Sequence, residues 1–167
     1  VEDIAKVRKS SSEAVYPASM HGATADSGID DAHEHFLAWN ESLDFRGIKI
    51  SAIPAYNPEK RFHPAAQQWI GYLLDDGTRR IYIAGDTDIT PEAEAVRCDV
   101  ALLPIGGTYT MNAHEAATLA VILRPQLVIP THYGSVAGEP EDEEVFRQAV
   151  GKSAPMVHVE IRMERYA

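Results

Sequence analysis

The stretch IYIAGDTDIT, from Ile81 to Thr90, places two aspartates directly after a run typical of a buried β-strand. An apolar segment leads to a glycine, and Asp86 and Asp88 follow it within three positions. The ends of strands collect functional groups, because the sheet fixes the backbone while the loops remain free to vary. The stretch therefore raises three interpretations: a metal ligand, a site of phosphoryl transfer, or a cap on the next helix.

The pattern around this stretch predicts an α/β fold. Residues 46–54 alternate between apolar and polar side chains and predict a strand that ends at Pro54. The turn signal DDGT at 75–78 lies between strand-like runs at 68–74 and 79–84, which predicts a hairpin. The remaining predicted elements are a helix at 91–96 capped by Thr90, a strand at 99–105, a helix ending at Leu123 behind an Asn112 capping box, a strand at 127–130, a helix at 140–150 and a strand at 156–163. This order predicts a mixed sheet with helices packed on it.

The first 42 residues are less regular. Residues 1–9 predict a helix and residues 14–16 a short strand, whereas residues 17–42 predict a loop with one helical turn around 33–39. The first helix begins at Val1 without a cap, which suggests that this chain is the C-terminal portion of a longer protein. We expect residues 1–167 to form a single domain.

Composition limits the partners of this chain. Its net charge of −10 argues against nucleic acid as a partner, although bound metal ions can reverse the field locally and admit an anionic small-molecule substrate. Apolar residues make up 45% of the sequence, but no apolar run approaches the ~18 residues of a membrane span. The single cysteine, Cys98, excludes an internal disulfide and fits a cytoplasmic protein with a packed thiol. A homo-oligomer remains open.

Four polar residues that follow predicted strands are candidates for a metal site: Asn57, His63, Asp86 and His132. Carboxylate oxygen and imidazole nitrogen together suit zinc, manganese or iron. Three of these residues also have a structural interpretation. Asp86 could shape a turn, His132 could be a packed histidine bonded to a carbonyl, and His63 could lie in a surface loop.

Three segments taken together, IYIAGDTD, CDVALLPIGGTYTMNAHEAA and PQLVIPTHYGS, resemble the metallo-β-lactamase fold superfamily. The closer resemblance is to its small metal-dependent hydrolases related to ascorbate-6-phosphate lactonase. It implies an αββα sandwich in which Asp86 bridges two divalent transition-metal ions (Zn, Mn or Fe) and His132 ligates the second ion. The histidine that ligates the first ion is matched either by Asn57 or by His63.

The superfamily's His-x-His-x-Asp-His motif is absent from this chain. The resemblance therefore implies an N-terminally incomplete sandwich that carries about half of the ligands. Such a chain should bind metal poorly alone and be inactive as it stands, because too few ligands offset dehydration of the ion.

For the complete protein, the resemblance implies hydrolysis of an ester, lactone or phosphodiester bond by water activated at two metal ions. Tyr109 and Thr110, just beyond the Gly106-Gly107 pair, are candidates for lining the substrate cleft. Tyr133 is a candidate for packing beneath that cleft or donating a hydrogen bond into it.

Two other functions stay open. The sequence Asp86-Thr87-Asp88-Ile89-Thr90 also fits the D-x-D-x-T pattern of haloacid-dehalogenase-type phosphatases, with Asp86 as nucleophile and Asp88 as general acid. Half of the chain precedes this motif, however, and no later acidic pair at a strand end accompanies it. Alternatively, the chain is a non-catalytic binding domain that has lost the metal site.

Overall fold

The computed structural model describes residues 2–162 and has the predicted α/β architecture. Its elements, in chain order, are α1 Glu2–Val7, β1 Ala14–Pro17, β2 Glu34–Leu37, β3 Ser42–Phe45, β4 Ile48–Pro54, β5 Ile70–Asp75, β6 Arg80–Ile83, α2 Pro91–Ala95, β7 Val100–Pro104, α3 Ala113–Leu123, β8 Leu127–Thr131, α4 Asp142–Ser153 and β9 His158–Val159. Short 3₁₀ turns occupy residues 18–20, 25–27, 31–33 and 65–67.

Strands β3 to β9 form one sheet in sequence order. The pairs from β3 to β6 are antiparallel, and those from β6 to β9 are parallel. The parallel pairs β6–β7 and β7–β8 are joined by crossovers that contain α2 and α3, as parallel pairing requires. Since β4 runs in the same direction as β6, the carboxyl ends of β4, β6, β7 and β8 all lie at one edge of the sheet.

Helices α2, α3 and α4 cover one face of this sheet. Leu103 of β7 and Val128 of β8 are fully buried there, in one cluster with Leu119 of α3 and Phe146 of α4. This face carries the main core. The residues that alternate with Leu103 and Val128 along the strands point to the other side of the sheet. Cys98 packs against the same cluster, and burial raises the pKa of its thiol to about 11, in agreement with the predicted packed thiol.

The opposite face carries a second, smaller layer. Strands β1 and β2 pair in parallel as a two-stranded sheet, and Leu37 of β2 is buried against Ala52 and Ile70 of the large sheet. The Tyr72 hydroxyl donates a hydrogen bond of 2.7 Å to the Val15 carbonyl and so ties the two sheets together. The chain therefore contains helices, a large sheet and a small sheet as successive layers.

A row of aligned side chains runs across the large sheet on this second face. It passes from Ala52 through Tyr72, Ile83 and Leu102 to Ile129, each paired with the next across the strands. Ala52 is fully buried by the small sheet, whereas Ile83, Leu102 and Ile129 are only half-buried. The small sheet thus covers the β4–β5 end of this face more completely than the β6–β8 end.

The structure corrects the sequence prediction in the segment 17–42 and at the C-terminus. The predicted helical turn around 33–39 is wrong, since Glu34–Leu37 is a strand, and Ser42–Phe45 is a further strand that was not predicted. Each is only four residues long, too short for its alternation to stand out from polar neighbours. The last strand is limited to His158–Val159, and the predicted positions Val1 and Met163 lie outside the described residues. None of the helices within residues 2–162 is long and apolar enough to cross a membrane.

Candidate metal centre

Three of the predicted site residues meet at the sheet edge where the carboxyl ends of β4, β6 and β8 lie. His63 Nε2 is 3.3 Å from Asp86 Oδ2, and His132 Nε2 is 3.4 Å from Asp86 Oδ1. The side chains of Asp86 and His132 are 41% and 36% exposed, and that of His63 is 13% exposed. Residues distant in sequence therefore converge at an open rim, with each imidazole directed at a different oxygen of one carboxylate.

These nitrogen–oxygen spacings suit shared coordination of a metal ion. They exceed the usual 2.7–3.2 Å of an N–H···O hydrogen bond. Two ligands bound at 2.0–2.1 Å to the same tetrahedral ion lie about 3.3–3.4 Å apart, which matches the observed separations. Two imidazoles and a carboxylate are also a donor set that zinc, manganese and iron accept.

The three side chains do not form a complete site. Within the described part of the chain, no group of three or more His, Cys, Asp or Glu side chains is arranged to enclose an ion by itself. His63 and His132 are each linked to Asp86 on opposite sides of the carboxylate. An ion beside either histidine would therefore need further donors.

Hydrogen bonds fix the orientation of the His63 ring. Its Nδ1 lies 3.1 Å from Asn57 Oδ1 and 3.1 Å from the Tyr109 carbonyl oxygen. The Asn57 amide orientation follows from the His63 backbone N–H, which donates to Oδ1, while Asn57 Nδ2 donates to the Tyr109 carbonyl. Because both neighbours of Nδ1 are acceptors, Nδ1 carries the proton.

The proton on His63 Nδ1 determines what the other ring nitrogen, Nε2, presents to Asp86. In the neutral ring, His63 Nε2 presents a lone pair to the Asp86 carboxylate. That contact is repulsive unless a cation lies between the two groups or the ring takes up a second proton. Metal-bound histidines in general use one nitrogen for the ion and donate from the other to a carbonyl or carboxylate, and His63 Nδ1 faces two carbonyl-type acceptors.

Asn57, predicted as an alternative to His63, has a different environment. It is 4% exposed, and its amide oxygen and nitrogen bond to His63 and Tyr109 rather than facing Asp86. Its position in the fold is that of a residue that orients His63.

The predicted cleft residues are corrected in part. Thr110 is fully buried and presents no surface to a cleft, whereas Tyr133 is 4% exposed, and its predicted packing beneath the cleft stays a prediction. The Tyr133 hydroxyl donates to Glu143 Oε2 at 2.8 Å, which anchors the loop after β8 to α4. Tyr109 is half-buried with its ring edge-on to Phe62, and its backbone carbonyl faces the site.

The stretch Ile81–Thr90 thus divides its polar residues among several partners. Asp86 points to the histidines, whereas Asp88 pairs with Lys60 at 2.6 Å. Thr87 is fully buried, and its hydroxyl donates to the Tyr56 carbonyl. Thr90 accepts from the Ala93 N–H and caps α2, as predicted.

The backbone under His132 is strained and closely packed. His132 adopts a left-handed conformation with φ of 57°, which is uncommon for a residue other than glycine and often marks a functional site. A Cβ on Gly106 would lie 2.4 Å from the His132 carbonyl oxygen, so only glycine allows the two loops to approach this closely. Gly107 has a φ of 77°, so both glycines of this pair serve the backbone conformation.

Sequence reasoning missed Lys60. It lies three residues before His63, in a loop whose composition carries no signal for it. Its partners are far away in sequence, so only the fold reveals them.

Comparison with known proteins gives consistent matches. The profile of the beta-lactamase superfamily domain matches residues 1–133. A UPF0173 metal-dependent hydrolase of Thermococcus onnurineus is 34% identical over 116 residues, which cover 66% of this chain and 52% of that protein. A UPF0173 metal-dependent hydrolase of Pyrococcus abyssi is 29% identical over 160 residues, covering 93% of this chain and 69% of that protein. The chain thus spans about half to two thirds of the length of these curated relatives.

Solved structures show the same similarity. A metal-dependent hydrolase from Parabacteroides distasonis matches with a TM-score of 0.75 and 30% identity, over 93% of this chain and 66% of that chain. The metallo-beta-lactamase fold protein YhfI from Bacillus subtilis matches with a TM-score of 0.59 over 82% of this chain and 56% of that chain. Its identity of 13% makes this second match evidence for the fold alone.

Proposed function

This chain belongs to the beta-lactamase superfamily, in its branch of metal-dependent hydrolases, and we propose that His63, Asp86 and His132 are its share of a two-metal hydrolytic centre. The observation that carries the proposal is the placement of each imidazole Nε2 against a different Asp86 oxygen, at 3.3 and 3.4 Å. A carboxylate can serve two ions by offering one oxygen to each, and this placement allows it.

Each residue has a distinct role in the proposal. Asp86 would contribute to holding both ions, His63 would hold one through Nε2, and His132 would hold the other through Nε2. Zinc, manganese and iron all suit these donors. Such ions, when bound, bring the pKa of a coordinated water to near neutrality and polarise the bond to be cleaved.

The residues around the centre prepare it for this task. Asn57 and the Tyr109 carbonyl hold the proton on His63 Nδ1, so Nε2 keeps its lone pair for the ion. The substrate is a small molecule with an ester, lactone or phosphodiester bond. With three donors, we expect this chain to hold metal more weakly than a complete site does.

The phosphatase alternative has little support in this geometry. The Asp88 carboxylate is bound to the Lys60 ammonium at 2.6 Å, so the group that this mechanism needs as general acid is already engaged by another residue. Asp86, the supposed nucleophile, is flanked by two imidazoles. The non-catalytic alternative is separated from ours by metal binding.

The test is a titration of the chain with Co²⁺, followed by visible absorption and by histidine ¹⁵N shifts. We expect His63 and His132 to respond, and Asp86→Ala or His132→Ala to weaken binding by at least 10-fold. His158→Ala, at an exposed position in β9, is the matched control and should bind as the unaltered chain does. Equal binding by Asp86→Ala and His158→Ala would contradict the proposed centre.

A second arm uses the protein at its natural length. Its metal content and its turnover of an ester, a lactone and a phosphodiester should both fall in Asp86→Ala. Absence of bound metal, together with no hydrolysis of any of the three, would favour the binding-domain alternative.

A further inference from the structure

Lys60 connects three loops around the candidate metal centre. It lies in the loop after β4, and its Nζ donates 2.6 Å hydrogen bonds to Asp88 Oδ1 and to the Thr110 carbonyl. Asp88 belongs to the loop after β6 and Thr110 to the loop after β7. One ammonium group therefore joins the backbone segments that also carry His63, Asp86 and Tyr109.

The environment of Lys60 suits a structural link rather than a substrate contact. The side chains of Lys60 and Asp88 are 27% and 15% exposed, so the pair is partly withdrawn from water. Glu115 Oε2 lies 3.9 Å from the same Nζ and adds a second negative charge. Two of the three ammonium protons are already used in short bonds, and the acidic neighbours leave no net positive charge to offer an anionic ligand.

The link reaches His63 through two adjacent carbonyl groups. The Thr110 carbonyl accepts from Lys60, and the preceding Tyr109 carbonyl lies 3.1 Å from His63 Nδ1. The two carbonyls belong to peptide units joined at the Thr110 Cα, and Thr110 is fully buried, so the bond to Lys60 restrains the short segment that carries both. The Asn57 amide, which donates to the Tyr109 carbonyl at 3.2 Å, depends on the same segment.

We propose that Lys60 is a positioning residue for His63: by holding the Thr110 peptide, it keeps the Tyr109 carbonyl in place to accept the Nδ1 proton and leaves Nε2 free for a metal ion. The metal part of this statement rests on the proposed function. The orientation of the ring does not, because it concerns hydrogen bonds of the chain itself.

Three variants test the proposal. Lys60→Met removes the donors and retains the aliphatic stem, whereas Lys60→Arg retains donors for Asp88 and the carbonyl. Lys49→Met removes a lysine charge at an exposed position of β4 and is the matched control. Asp88→Asn is a milder second perturbation should Lys60→Met fail to fold, because it weakens the link without removing Lys60.

The first readout is the ¹⁵N shifts of the His63 ring, measured without metal at a pH where the ring is neutral. We expect the Nδ1–H form to dominate in the unaltered chain and in Lys49→Met, and a substantial Nε2–H population to appear in Lys60→Met. Lys60→Arg should restore the Nδ1–H form at least in part, and Asp88→Asn should shift it in the same direction as Lys60→Met. An unchanged tautomer in Lys60→Met, or in Asp88→Asn if the former does not fold, overturns the proposal even if thermal stability falls.

The second readout is Co²⁺ affinity, which we expect Lys60→Met to lower by about 10–100-fold, as loss of an orienting partner typically does. Loss of stability with unaltered affinity and tautomer would mean that Lys60 only holds the loops together. If the unaltered chain binds no Co²⁺, the proposed function fails, whereas the tautomer measurement still decides the role of Lys60.

Discussion

At the scale of single residues, the orientation of His63 depends on one buried amide. Asn57 Oδ1 accepts from the His63 backbone N–H at 3.0 Å and lies 3.1 Å from Nδ1. We expect Asn57→Ala to lower metal affinity by about 10–100-fold, because the ring loses an orienting partner. The unsatisfied N–H should also reduce the free energy of unfolding by about 1–3 kcal/mol. Metal titration and urea unfolding measure the two effects, with the exposed Gln67→Ala as control; an unchanged affinity in Asn57→Ala would refute the orienting role.

The residues also show which parts of the site the sequence could predict. Asp86 and His132 follow predicted buried strands, and that position identifies them as candidates from the sequence alone. Lys60 gave no such signal, because its partners Asp88 and Thr110 lie 28 and 50 residues further along the chain. The sequence also could not decide between Asn57 and His63 as the candidate ligand, because that choice depends on which side chain turns towards Asp86 in the fold.

At the scale of elements, the sequence predicted the helices that carry local capping signals, but it did not predict a strand that depends on a distant partner. The start of α3 is predicted by a capping box whose members are three residues apart, and the start of α2 is predicted by Thr90 and Pro91. Strand β2 instead depends on β1, which lies 20 residues earlier in register. A four-residue strand with a remote partner carries little pattern of its own, so residues 33–39 were predicted as a helical turn.

The cap of α3 gives an element-scale prediction. Asn112 Oδ1 accepts from the backbone N–H groups of His114 and Glu115, while Glu115 Oε2 accepts from the Asn112 N–H. Removing these bonds in Asn112→Ala should lower the free energy of unfolding by about 0.5–2 kcal/mol. Asn112→Ser keeps a capping oxygen and should retain most of the stability in urea unfolding. If serine and alanine destabilise equally, the cap is not what stabilises the start of α3.

At the scale of the whole molecule, the two faces of the large sheet differ in burial, and neighbouring leucines of β7 compare them directly. Leu103 is fully buried against the helices, whereas Leu102 is half-buried on the other face, between Ile83 and Ile129.

Leu103→Ala should therefore lower the free energy of unfolding by about 2–5 kcal/mol, through lost burial and the cavity it leaves. Leu102→Ala removes the same atoms from a site that water already reaches, so its effect should be about 1 kcal/mol. Urea unfolding measures the difference in free energy of unfolding between the two variants. They are matched, because both replace a leucine of the same strand by alanine. If Leu102→Ala lowers the free energy of unfolding as much as Leu103→Ala does, the second face is as well covered as the helical face at the β6–β8 end, and the proposed difference between the faces is wrong.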